Sequence, residues 1–411
     1  MSAPNRSKTD TYHGLSIVLL VIFVSPIAVY YGPLLTLQDF SIYWYATMRW
    51  LEGRNPYELP DLASYVGGDF GTIDSNIDKL KVWAPPYFLC MMIPFAVLEI
   101  DFGKMLYMTC LLGSLAGWIW LTSRELAAEV VHGRWWDKYR HIAVALMVSP
   151  LCVTKSALIF GGMSVLAGIA FLILATTRTF AGFFRWALFW LLVSIKPHAV
   201  FGAAVAFMVL LPARERWRSL RALGTVGAIF GSILLVHSPH VVDQFLDLDT
   251  SLTRIYQPGT ATFVARLLLS GMSVESSYLV SGSLWLISLL PLIRIRRYSM
   301  SFREIVAVAL LFNVLSIYLS PYAWLHDYQS ALGFLWATLV IGVRSGRLAV
   351  CNISLILALN VLQIAPWLYS GEGQSSASKY QFAYVAICVV AMWSCLNIVW
   401  KSNNTCPQRE A

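Results

Sequence analysis

The sequence predicts an all-α integral membrane protein, a multi-pass bundle of roughly 12–13 transmembrane helices. Three observations carry that prediction. Of the 411 residues, 58% are hydrophobic and 13% charged, where a soluble domain has about 25% charged residues. Apolar runs long enough to enter or cross a bilayer recur from residue 15 to residue 400. The basic residues gather in the connectors between those runs, a pattern that orients a membrane protein rather than one that grips nucleic acid. The expected surroundings are therefore a lipid bilayer, and no nucleic-acid partner is expected. The seven cysteines (Cys90, Cys110, Cys152, Cys351, Cys388, Cys395 and Cys406) show no CxxC or Cys/His spacing, so neither a disulfide framework nor a zinc site is indicated.

The apolar segments fall near 15–35, 84–98, 103–121, 141–157, 164–177, 185–211, 223–237, 278–293, 304–320, 329–343, 348–366 and 380–400. The first follows Arg6 and Lys8, is long for the apolar centre of a signal peptide, and has no small-x-small cleavage site after it, so a retained helix is expected. Residues 36–82 hold seven acids against four bases and read as an outer loop bearing juxtamembrane helices. The run 84–98 is short and opens with Pro85-Pro86. The run 185–211 is too long for one ordinary crossing, and "IKPH" at 195–198 interrupts it. Pro197 has no N–H to give, so two short helices meeting at that break are expected.

Arginine placement sets the orientation. "ARERWRSLR" (213–221), "RIRRYSMSFR" (294–303), "RSGR" (344–347) and the mixed connector 123–140 are expected on the cytoplasmic side, with both termini. A full crossing by 84–98 would invert every later arginine cluster. A half-embedded helix there keeps them all inside, and a helical hairpin elsewhere is the competing solution. Tyr and Trp crowd the segment ends, among them Tyr43, Trp44, Tyr45 and Tyr87, as an interfacial aromatic belt would.

On this topology the outer face gathers 36–82, 154–164, "IKPH", 237–262, "SPYAWLHDYQ" (320–329) and 365–380. Chemistry is expected there. Asp39 stands at the boundary between water and apolar helices, where a carboxylate can take the proton of an attacking hydroxyl; a helix cap would look the same in sequence. Lys196 lies in a helix break between apolar runs, and an ammonium in that position needs an aqueous cavity or an anion, unless it snorkels to the interface. Arg254 in "TRIYQPG" can fork onto phosphate oxygens. His326 can donate to a phosphate or move a proton. Asp327 can orient a histidine or bind a sugar hydroxyl. Lys155 is a further candidate. No Asp-x-Asp pair accompanies Asp39, so no metal is expected; no Gly-rich phosphate loop is present, so neither a nucleotide nor a cofactor is expected.

The stretch "QDFSIYWYATMRWLEGRNPYE" resembles the first outer loop of glycosyltransferase family 87, whose pattern is roughly D-F-x-x-Y-x-x-A-x-x-x-L-x-G-x-x-P-Y; Asp39, Phe40, Tyr43, Ala46, Gly53, Pro56 and Tyr57 match it. "WAPPYFLCMMIPFAVL" (83–98), Lys196-Pro197 and "SPYAWLHDY" (320–328) resemble later family elements in order. The chain departs from the family at 160–165, where "FGGMSV" stands in place of Gly-Gln with a following Asn. The resemblance implies a GT-C-type membrane glycosyltransferase of the kind that includes polyprenol-phosphate-mannose-dependent mannosyltransferases. It implies an outward-facing site in the cell inner membrane and inversion at the anomeric carbon. The donor would be a polyprenyl-phosphate-linked sugar, a hexose such as mannose, and the acceptor a glycan or glycolipid. Asp39 matches the family's catalytic acid; Lys196, Arg254 and His326 would hold the donor phosphate; Tyr43, Tyr57, Asp327 and Lys155 would contact substrate. The apolar side of 84–98 would receive the polyprenyl tail. A transporter or flippase for a lipid-linked or small anionic substrate is the rival, since transporters also break helices at their sites, although no internal repeat is visible. A membrane subunit without a site is the third possibility.

Overall fold

The structure, a computed structural model, describes residues 38–58, 85–129, 164–175, 182–248, 273–296 and 300–319. Among them it is all helical, with no strand. Ten helices are described: α1 (Gln38–Leu51), α2 (Pro86–Ala96), α3 (Ile100–Glu129), α4 (Ser164–Ala175), α5 (Phe183–Ile195), α6 (Pro197–Leu210), α7 (Ala213–His237), α8 (Val241–Leu246), α9 (Val274–Ile295) and α10 (Phe302–Leu319).

Each boundary has a local cause. α1 ends at Gly53, whose φ of 76° is the left-handed conformation that glycine adopts without strain. The Gly53 N–H donates to the Trp50 carbonyl at 3.0 Å and the Arg54 N–H to the Arg49 carbonyl at 2.9 Å, the paired bonds of a Schellman cap. α2 starts on Pro86, where a missing N–H costs nothing, after an extended Pro85. Pro94 removes one bond near its other end, and the helix stops at Ala96. Its 11 residues cover about 16 Å, roughly half the hydrocarbon thickness. The break expected in 185–211 is present: Lys196, at φ −144° and ψ 72°, separates α5 from α6, and Pro197 opens α6.

Two expected connectors are instead helical. The basic segment 213–221 forms the first turns of α7, and α3 runs on through Glu129 into the expected connector 123–140. Arginine, leucine and glutamate are good helix formers, and a helix already nucleated in an apolar run extends through such residues at little cost.

Two packed groups organise the described residues. In the first, α1 lies on α2 and α3, and Leu234 and Val241 from α7 and α8 close its core. In the second, α4, α5, α6 and α10 surround an aromatic cluster. Phe171, Phe189 and Phe207 meet edge-on or tilted, with ring centroids 5.0 to 6.0 Å apart, and Trp186 and Phe302 extend the cluster. Residues 305 to 310 of α10 are all buried, so this helix is covered all round. α5 and α7 are joined by Trp190, whose Nε1 donates to the Ser219 carbonyl at 2.9 Å.

Two described helices, α7 and α9, are long and apolar enough to cross a membrane. They are not core helices: only 17% of the apolar window of each is buried. Leu235, Val236, Leu279 and Ile293 are among the large side chains they leave exposed. An apolar surface of that extent needs a cover other than water.

Candidate functional site

The segment 36–82, expected to bear juxtamembrane helices, contributes the buried helix α1. Phe40, Ile42, Trp44, Tyr45, Ala46 and Trp50 are all buried, which covers α1 on nearly every side. Trp44 and Tyr45 are 6% and 3% exposed, so they belong to the core and not to an aromatic belt. Trp44 Nε1 donates to the Leu98 carbonyl at 3.1 Å and ties α1 to the turn between α2 and α3. Gly103 of α3 approaches so closely that a Cβ there would meet the Phe95 carbonyl oxygen at 2.9 Å and the Phe40 ring at 3.2 Å.

Asp39 stands in the first turn of this helix. Its neighbour Phe40 meets Phe95 of α2 edge-on, with ring centroids 6.2 Å apart, and Tyr107 of α3 at 4.7 Å. One turn earlier on α2, Ser194 Oγ reaches Met91 Sδ at 3.6 Å. Ser194 is two residues before Lys196, and Ile195 packs on the same core cluster as Phe40. Met91 and Phe95 are four positions apart, about one turn of α2. The start of α1 and the α5–α6 break are thus anchored on one helix about one turn apart. Lys196 itself is half-buried.

Tyr43 is half-buried, edge-on to Phe88 with centroids 4.9 Å apart. Tyr57 is buried at 6% exposure beside Phe245. It follows a turn in which Asn55 Oδ1 accepts the Tyr57 N–H at 3.0 Å, while Asn55 Nδ2 donates to Glu58 Oε1 at 3.0 Å. Burial holds the Tyr57 phenol well above the ordinary tyrosine range, so it stays neutral. Arg254, His326, Asp327 and Lys155 lie outside the described residues.

Two polar groups at the far end of α1 were not singled out from sequence. Arg49 is 8% exposed; its Nε donates to the Asn55 carbonyl at 3.1 Å and its guanidinium carbon is 5.9 Å from the Tyr45 ring centroid. His237, at the end of α7, brings Nε2 to 3.0 Å from the Trp50 carbonyl, so that nitrogen carries the proton. The sequence signal was a histidine closing an apolar run; the carbonyl it serves is distant in sequence. Both groups act on the fold: Arg49 ties the end of α1 to the turn that follows it, and His237 ties that end to α7.

A groove of about 840 Å³ opens between α5, α6 and α7, with Tyr87 of α2 also on its wall. Phe230 of α7 stacks on Tyr87 at 6.2 Å. Among the described residues no group of three metal-ligating side chains occurs. Compared with models of known protein families, with characterised proteins and with solved structures, the chain shows no match.

Proposed function

We propose that this chain is an inverting, multi-pass membrane glycosyltransferase of the family 87 type. It moves a hexose such as mannose from a polyprenyl-phosphate carrier to a glycan or glycolipid on the outer face of the cell inner membrane, with both termini in the cytoplasm. The observation that carries the reading is the shared anchoring on α2. Phe40, beside Asp39, and Ser194, just before Lys196, meet that helix about one turn apart. Chain positions 39 and 196 tied to one helix suit a reaction that removes a proton at one atom and releases a phosphate at another.

The Asp39 carboxylate takes the proton of the acceptor hydroxyl as that oxygen bonds to the anomeric carbon. The bond from that carbon to the phosphate oxygen breaks on the opposite face, and its electron pair leaves with the phosphate. Lys196 offers fixed positive charge to the departing group. The polyprenyl tail lies along the apolar side of α2, outside the groove between α5, α6 and α7. Acceptor from water and donor from lipid then meet at the boundary where α1 begins.

The test is turnover by purified protein in proteoliposomes against a panel of polyprenyl-phosphate sugars, with products read by mass spectrometry. Asp39→Asn and Asp39→Ala are expected to lose about 10²- to 10⁴-fold in turnover while retaining donor binding. Undiminished turnover in Asp39→Asn, or labelling that puts position 39 in the cytosol, overturns the reading. The helix break at Lys196-Pro197 also suits a transporter or flippase, which would move the lipid-linked substrate across the membrane without forming a glycosidic bond.

A further inference from the structure

The groove between α5, α6 and α7 has two unlike ends. Most of its wall is apolar, with Val193, Met208, Leu220 and Leu223 typical of it. At one end two guanidinium groups line it, Arg216 from the first turn of α7 and Arg296 just beyond α9. Arg216 Nη2 donates to the carbonyls of Val209 at 3.0 Å and Leu211 at 2.8 Å, which fixes the group at the far end of α6 from Lys196. α6 has 14 residues, so the two ends are about 21 Å apart.

Among the described residues this cation pair has no anion. Arg216 Nε is buried without an acceptor. Arg296 is exposed and forms no ion pair among the described residues. The adjacent carboxylate, Glu215, is engaged elsewhere: its Oε1 accepts from Arg218 at 2.7 Å, and its Oε2 bonds neither arginine. A guanidinium pair at the mouth of an apolar trough complements an anion that carries a hydrocarbon chain.

We propose that the groove holds an anionic lipid, with its phosphate between Arg216 and Arg296 and an acyl chain along the trough. A free phosphate would satisfy the arginines and leave the apolar wall uncovered. The α7 wall runs from Arg216 to Leu234, about 27 Å, close to the thickness of a bilayer's hydrocarbon core. Basic helix ends face the cytoplasm, so the lipid comes from the cytoplasmic leaflet. The site lies away from Lys196 and does not depend on the sugar-transfer reading.

The test uses the full chain in neutral detergent, titrated with phosphatidylglycerol, with phosphatidylcholine and with inorganic phosphate. Bound lipid is counted by native mass spectrometry, and thermal stability is followed in parallel. Phosphatidylglycerol is expected to bind about tenfold more tightly than phosphatidylcholine, and Arg296→Gln to remove most of that preference. Arg296 makes no side-chain bond among the described residues, so this variant should fold normally. Leu223→Trp, which fills the trough, is expected to reduce binding of both lipids. Arg221→Gln, on an exposed part of α7 outside the groove, is expected to bind as the parent does. Equal binding of the two lipids by the parent chain overturns the proposal. So does an equal loss in Arg221→Gln and Arg296→Gln, which would mark a diffuse basic surface. Protection by inorganic phosphate as strong as that by the lipid also overturns it.

Discussion

Gly103→Ala probes the packing that sets the start of α1. The added methyl would lie 2.9 Å from the Phe95 carbonyl oxygen, 3.2 Å from the Phe40 ring and 3.4 Å from the Trp44 ring. The first contact is with backbone, which has no alternative rotamer, so α2 or α3 must shift. Replacing a helical glycine by alanine gains about 1 kcal/mol of intrinsic helix preference, whereas overpacking of this kind costs about 1–3 kcal/mol. Gly113, on the same helix, has nothing within 4 Å of where an alanine methyl would lie. Gly113→Ala therefore takes the gain without the clash, and the difference between the two variants isolates the clash. At about 2 °C per kcal/mol, Gly103→Ala should melt about 2–6 °C below Gly113→Ala in the same detergent, followed by intrinsic fluorescence. Equal melting temperatures would show that α3 does not press on α1 and α2 as described. Phe40 adjoins Asp39, so on the proposed mechanism Gly103→Ala should lower turnover more than donor affinity, because small misplacements of a base are costly.

Other outcomes follow from the same segment. Gly53→Ala forces a Cβ into a left-handed conformation with open space around it, so denaturation should show a loss of about 1 kcal/mol, arising from backbone strain alone, and Gly53→Asn should lose less. Tyr57→Phe should flatten the alkaline loss of stability: the buried phenol stays protonated in the fold, while the unfolded chain ionises near its ordinary value of about 10. Stability is thus complete below that pH and falls as pH rises beyond it. Denaturation curves for parent and variant at about pH 9 and pH 11 check this, and identical slopes would argue against a buried ring.

The sequence by itself determined the helical class and the break at Lys196. Helix follows from apolar runs that must satisfy their own backbone bonds, and the break follows from a proline that cannot donate one. The sequence marked Gly53 only through the family pattern, and the structure shows it as the glycine that ends α1. The sequence misjudged the aromatics of α1, because tryptophan and tyrosine have the same composition signature at a membrane interface and in a core. Only the partner surfaces distinguish the two, and those belong to α2 and α3. Helix ends at 213–221 and beyond 121 were equally hidden, since charged residues that suit a connector also propagate a helix. What the tertiary structure alone decided was proximity. Phe40 and Ser194 are far apart in sequence and meet α2 about one turn apart, and Arg216 and Arg296 converge on one groove from separate helices. Periodicity constrains a residue's face on its own helix; which faces meet is set by packing across the whole bundle.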